Sequence, residues 1–217
     1  MTATNDSTSA IQVDAEFYGF SEYVHLRRWI SYWYQIDAVL RHKPRSVLEI
    51  GPGNGTTTSA LRKAGIEVKT FDFDPRLEPD YVGDIRRLTQ AVPQKTHDLV
   101  CAFQVLEHLP FEDFEPTIAE LANAARDHVV ISVPHWGYPV EIRGRLFKDR
   151  LKFAFARKLT RPKSWTFDGQ HYWELGTRGH SVNKVAEIIS RHMQIERQWF
   201  CPDYSYHYFF ECSVRAP

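Results

Sequence analysis

The sequence has no run of about 18 apolar residues, so nothing in it predicts a membrane-spanning helix. It has no excess of charge either: 27 Lys and Arg balance 27 Asp and Glu. A uniformly basic nucleic-acid binder and an acidic solvating tail both lose support on that ground. Cysteine is scarce and odd in number, and Cys101, Cys201 and Cys212 lack paired spacing. They predict buried thiols in a reducing cytoplasm, not a disulfide framework or a zinc ribbon. No internal repeat occurs, and the opening MTATNDSTSA lacks the apolar stretch of a signal peptide, so residues 1–14 read as a disordered tail. What is present, 217 residues of which 43% are hydrophobic, suits a single domain over 15–217 with a sizeable core.

Aromatic residues crowd the start of that domain. Phe17, Tyr18, Phe20, Tyr23, Trp29, Tyr32, Trp33 and Tyr34 precede Ile36, Val39 and Leu40 at helical spacing. They predict one or two amphipathic helices, an N-terminal cap over 15–43, with most of the aromatics packed between helices. Strands are then expected at 46–50, 67–73, near 81–82, at 98–103 and at 128–133, separated by helices over 57–64, 86–91 and 114–126. Such alternation predicts right-handed crossovers and a parallel sheet covered on both faces. A helix capped by Ser181 and two β-rich stretches, 193–200 and 206–214, close the chain as an antiparallel pair. Residues 136–172 fit no regular layer and form an insertion. Within it, residues 141–163 carry nine Lys and Arg against two Asp and Glu, so the zero total divides into +7 there and −7 elsewhere.

The strongest local signal is Val47-Leu48-Glu49-Ile50-Gly51-Pro52-Gly53-Asn54-Gly55, a strand that enters a glycine-rich turn and opens a helix. Glycine lets backbone pass close to a ligand, and the helix amides that follow present partial positive charge. The dinucleotide spacing would need glycine where Thr56 stands, and a phosphate-loop Gly-Lys-Ser/Thr is absent. Acidic residues follow the successive strands: Glu49 at the first, Asp72 or Asp74 at the second, Asp84 after the third. In an open parallel sheet these ends share one crevice. Carboxylates so placed suit a ligand with a ribose, an adenine and a cationic group. Taken singly each has an ordinary alternative: Glu49 or Asp84 as a helix cap, Asp74-Pro75 as a turn former.

The ordered series VLEIGPGNG, TFDFDP, GDI and HDLVCAFQVLEHLP, over about residues 45–134, resembles the motifs of class I S-adenosylmethionine-dependent methyltransferases. The segment VLEHLP is similar to the bacterial type 11 group. The resemblance implies an α/β, Rossmann-like, seven-stranded and mostly parallel sheet with helices on both faces and its last strand antiparallel. The N-terminal helices and the insertion after strand 5 are additions to that core. It implies S-adenosyl-L-methionine as cofactor and S-adenosyl-L-homocysteine as product. Position by position, Gly51, Gly53 and Gly55 would approach the methionine part and Glu49 would orient its amino group. Asp72 would hold the ribose, Asp84 with Ile85 the adenine, and Gln104 would stand near the sulfonium.

The acceptor is less legible. Family members that methylate exocyclic amino groups carry Asn/Asp-Pro-Pro-aromatic after the fourth strand, where this chain has Phe103-Gln104-Val105-Leu106, and no Pro-Cys nucleophile is present. An oxygen of a small molecule or glycan-type precursor is expected; the alternatives are a nucleic-acid methyltransferase that grips the backbone with the basic insertion, and a non-catalytic S-adenosylmethionine-binding module. A hydroxyl acceptor benefits from a general base. His135, directly after the fifth strand, is the first choice, followed by His171 in the segment that returns from the insertion; His108 reads as structural. No metal site is expected, and a trio of His135, His171 and Glu174 is set aside as a chance pairing. The basic insertion reads either as a solvated lid helix or as a patch for an anionic acceptor, with peripheral membrane contact or RNA as further readings.

Overall fold

The computed structural model describes residues 24–146, 151–159, 163–201 and 203–214. The expected tail 1–14 and the aromatics Phe17, Tyr18, Phe20 and Tyr23 lie outside the described residues. The first described helix, α1 (Leu26–Arg41), starts where His25 accepts a hydrogen bond from the Arg28 amide. Strand β1 (Ser46–Ile50), helix α2 (Thr56–Lys63), β2 (Glu67–Asp72) and the short β3 (Tyr81–Val82) follow. Next come α3 (Leu88–Ala91), β4 (His97–Phe103), α4 (Phe114–Ala124) and β5 (Ala125–Pro134). A hairpin, β6 (Tyr138–Leu146) and β7 (Leu151–Leu159), precedes α5 (Val182–His192), β8 (Met193–Phe200) and β9 (His207–Val214).

Seven strands form one sheet in the order β3-β2-β1-β4-β5-β9-β8. Pairings are parallel from β3 across to β5 and antiparallel where β9 inserts between β5 and β8. The expected α/β architecture, with its last strand reversed, is the observed one.

Period-two alternation divides the core. Leu99 and Cys101 of β4 pack with Val47, Ala38, Val39 and Leu61 beneath α1 and α2. Val100 and Ala102 pack with Leu48, Ile50, Ile118 and Val185 beneath α4 and α5. Every residue of β4 is buried, as expected of a central parallel strand covered on both faces.

One expectation fails. The insertion is not a helix: β6 and β7 pair antiparallel, from Tyr138 opposite Leu159 to Leu146 opposite Leu151, in a two-stranded sheet apart from the main one. Pro139, β-branched Val140 and Ile142, and Gly144 all disfavour helix, and Tyr138, Val140 and Ile142 alternate along an exposed face. Of the aromatic stripe, among the described residues, Trp29 and Trp33 are 51% and 58% exposed, and Tyr34 packs edge-on against Trp199 at 5.8 Å. The buried face of α1 is instead Ser31, Gln35, Ala38 and Val39. That face places two polar side chains toward the sheet's carboxyl ends. Among the described residues no helix is long and apolar enough to cross a membrane.

Candidate active site

Outside the carboxyl ends of β1, β2 and β4 lies a cavity of about 380 Å³. Its floor is the glycine turn. Gly51 has φ 66° and donates its amide to the Phe71 carbonyl at 2.9 Å. A Cβ there would stand 2.6 Å from Val105 Cγ2, so both the backbone and the space require glycine. Gly53 lines the cavity; Gly55 does not, and serves instead as the N-cap of α2.

Glu49 ends β1 on the cavity floor at 3% exposure. Burial raises its pKa to about 7, against the opposing pull of a hydrogen bond from the Thr58 hydroxyl. It caps no helix backbone. Asp72 and Asp74 both line the cavity, but their carboxylates differ in freedom. Arg76 grips both oxygens of Asp74 at 2.8–3.1 Å and lowers its pKa, while Asp74 also caps the short helical turn Pro75–Leu77. Asp72 accepts the Asp74 amide at 2.9 Å, and burial raises its pKa. Asp72 is thus the better placed of the two to receive ligand hydroxyls. Asp84 lines the cavity beside buried Ile85. It also caps the turn Ile85–Arg87 and is ion-paired to Arg86, so the ordinary reading of Asp84 as a cap holds along with its place in the site. Gln104, just past β4, has φ 58° and donates Nε2 to Ser132 Oγ at 3.0 Å. A non-glycine residue in that region stores backbone strain, a feature that clusters at functional sites.

Past Gln104 the cavity continues to Glu107, His108, His171 and Tyr206. His171 Nδ1 lies 3.1 Å from Glu174 Oε1, which also accepts the Tyr206 hydroxyl at 2.5 Å. Burial alone would lower the His171 pKa, but the Glu174 hydrogen bond and the nearby Glu107 and Glu174 charges more than offset it, and it is raised. Glu107 is fully buried, neither of its carboxylate oxygens has a hydrogen-bond partner among the described residues, and burial lifts its pKa to about 8. His108 donates Nδ1 to the Gln170 carbonyl at 3.0 Å; burial, then the His171 charge, bring its pKa down to about 4.

His135, the first choice for a base, is not among the lining residues. Its backbone bridges to Leu175, its Nδ1 donates to the Trp136 carbonyl at 2.6 Å, and its ring packs on Phe200 and Tyr208. Burial and the Lys158 charge lower its pKa to about 4, so it is a weak proton acceptor as well as a misplaced one. Position after a strand fixes the edge at which a residue sits, not the direction of its ring. The trio of His135, His171 and Glu174 does not assemble. Among the described residues, the groups spaced to share a cation are His42, His128 and Glu196, and Glu107, His108 and His171.

Several lining residues escaped the sequence reading. Ser31 and Gln35 reach the cavity from α1, where Ser31 Oγ meets His207 Nδ1 at 2.6 Å and Gln35 Oε1 accepts the Thr57 hydroxyl at 3.0 Å. Two polar residues four apart on the buried face of a helix were the available signal. Glu107, an acid in an otherwise apolar turn, was another.

A methyltransferase-domain family model matches residues 24–178. No curated protein matches the chain in sequence. Among solved structures, magnesium protoporphyrin IX methyltransferase from Synechocystis PCC 6803, with bound S-adenosylhomocysteine, is similar at TM-score 0.59 and 15% identity, over 88% of this chain and 84% of that one. The 1,6-didemethyltoxoflavin-N1-methyltransferase of Burkholderia thailandensis, with its substrate and S-adenosylhomocysteine bound, is similar at TM-score 0.56 and 17% identity, over 88% and 78%. An S-adenosylmethionine-dependent methyltransferase from Clostridium acetobutylicum ATCC 824 follows at 0.59 and 9%, over 93% and 96%. At such identities these three share the fold. The family model spans well over half of the chain, and the chain belongs to the methyltransferase-domain family.

Proposed function

We propose that this protein transfers a methyl group from S-adenosyl-L-methionine to an oxygen of a small-molecule or glycan-type acceptor. The observation that carries the proposal is Glu49: a carboxylate at 3% exposure, pushed up to about 7, on the floor of a glycine-cradled cavity. A buried acid in that state gains from a cationic partner, and an α-ammonium group is such a partner. The residues therefore fit the cofactor. Glu49 would receive its amino group, Gly51 and Gly53 its methionine part, Asp72 its ribose hydroxyls, and Asp84 with Ile85 its adenine. When bound, the cofactor supplies a sulfonium methyl that an oxygen nucleophile displaces in line, the C–S bonding pair leaving on sulfur as a neutral thioether.

The chain's own task is then positional. It must hold the acceptor oxygen about 3 Å from the methyl carbon, aligned and shielded from water. Gln104, locked by Ser132, marks the boundary between the cofactor end and the acceptor end. Beyond it, His171 is the expected catalytic histidine that reaches the cavity, and we assign it the activation of the acceptor hydroxyl. A small acceptor is supported by the lining, in which Arg28 is the one Lys or Arg among the described residues; a nucleic-acid backbone would call for several.

The test is a labelled-methyl screen. Purified protein with methyl-labelled cofactor should place label on a low-mass component of a metabolite extract, as an O-methyl product by mass spectrometry. Label confined to RNA, with activity that falls steeply as salt rises, would overturn the acceptor assignment. No cofactor binding by calorimetry would overturn the whole reading.

A further inference from the structure

We propose that Glu107, His108 and His171 form a divalent-cation site of the zinc type at the acceptor end of the cavity. One ligand atom from each of the three lies within 4.8 Å of the others. Two segments distant in sequence are clipped together to make this cluster. The Tyr172 amide donates to the Glu107 carbonyl at 2.8 Å, and His108 Nδ1 donates to the Gln170 carbonyl at 3.0 Å.

Both rings have the proton arrangement that a metal ligand needs. A carbonyl and a carboxylate can only accept, so Nδ1 carries the proton in His108, facing Gln170 O, and in His171, facing Glu174 Oε1. In the neutral rings the lone pair then resides on Nε2. An acidic or carbonyl oxygen behind each metal-bound imidazole is the recurring outer-shell arrangement, and Tyr206 completes it by donating to the same Glu174 oxygen.

Glu107 is the independent observation. It is fully buried, lines the cavity, and accepts no hydrogen bond at either carboxylate oxygen from the described residues. A buried carboxylate left without a partner is costly, and the cost is removed by a cation. Two imidazoles and one carboxylate, with further positions open toward the cavity, form a donor set that suits zinc in a catalytic role. Ligand atoms around zinc stand about 3.4 Å apart, so small side-chain rotations close the cluster. Methyl transfer involves no change of oxidation state, and a redox-inert cation meets its needs.

The use of this cation rests on the methyl-transfer reading, although the site itself does not. A hydroxyl coordinated there would lose its proton to solvent at lower pH, so that His171 activates it as a ligand of the cation and not as a base, and its oxygen would be held for attack on the methyl carbon. An acceptor that offers two adjacent oxygens to the cation would be preferred over a lone amine.

The experiment is zinc titration of the chelator-stripped full chain without cofactor, with cobalt substitution to read coordination from the visible spectrum. A single equivalent should bind, and Glu107→Gln and His171→Ala should each weaken it more than about tenfold, while Glu174→Gln weakens it about 10–100-fold through the outer shell. His128→Ala, which removes the other cation-capable cluster, should change nothing. Absence of stoichiometric binding by the unaltered protein overturns the site, and that arm does not depend on any variant folding. Binding that survives both Glu107→Gln and His171→Ala, or that vanishes in His128→Ala, overturns it as well. Cofactor affinity measured on the same samples separates the two readings: cofactor binding without zinc removes only the metal site, and zinc without cofactor removes the methyl-transfer role.

Discussion

Thr58, on the first turn of α2, donates its hydroxyl to the Glu49 carboxylate at the end of β1. That bond, and after it the Arg62 charge, oppose the burial that raises Glu49 to about 7. In the ligand-free protein the site therefore holds a proton near neutral pH. A cationic amino group favours the ionised form, so cofactor binding should release that proton. Affinity is expected to rise between about pH 6 and 7.5 and then level, and Glu49→Gln should be weaker and flat over that range. Calorimetry in buffers of different ionisation enthalpy measures both. The same shift has the opposite sign for folding. An acid with a raised folded pKa favours the native state at low pH, and that advantage is lost from about pH 4.3, its unfolded value, up to about 7.

The two halves of the site were unequally legible. Glu49, Gly51, Asp72 and Asp84 sit in short motifs at strand ends, and the sheet carries strand ends to one place whatever the loops do. The proposed acceptor end is assembled from afar: Glu107 after β4, His171 beyond the hairpin and Tyr206 before β9. Nothing local links them. The hairpin itself was misread because Phe147, Leu151, Ala154 and Phe155 share a helical face in projection, whereas strands that pair only with each other leave no burial pattern to counter it. The central strand β4, with all seven residues buried, was the reverse case.

Gly51→Ala should abolish cofactor binding while the protein remains folded. The added methyl would meet Val105 Cγ2 at 2.6 Å, and φ 66° is strained for alanine by roughly 1–2 kcal/mol. Val105→Ala in the same chain relieves the contact but not the backbone strain. The double variant should therefore recover binding in part, and full recovery by calorimetry would show that the backbone angle is unimportant.

Glu211, on β9, ties the end of α1 to the last two strands. Its carboxylate accepts from Arg41 Nη1 at 3.0 Å, His42 Nε2 at 3.2 Å and Trp199 Nε1 at 2.6 Å, although it is nearly buried. Burial would raise its pKa, but these partners outweigh burial and lower it. Stability from this group is present above its unfolded value of about 4.3 and lost as pH falls through the folded one. Glu211→Ala strands an indole donor and His42, while Arg41 keeps its ion pair with Asp37 at 3.0 Å, and should cost about 3 kcal/mol, at the low end for a broken buried pair because Arg41 is 29% exposed. Urea unfolding at pH 7 and pH 4 should show that the cost shrinks at the lower pH.

His135→Ala and His171→Ala should separate packing from chemistry. His135 fills a pocket against Phe200 and Tyr208 and does not line the cavity, so its loss should lower the melting temperature with turnover by the folded fraction unchanged. His171 lines the acceptor end and is oriented by Glu174, so its loss should reduce kcat by roughly 10²–10⁴-fold while cofactor affinity stays within a factor of about two. The contrast carries the information. If His135→Ala lost turnover as deeply as His171→Ala at equal folded fraction, the acceptor would have to approach along the β5–β9 side, and the assignment of the acceptor end to His108, His171 and Tyr206 would fail.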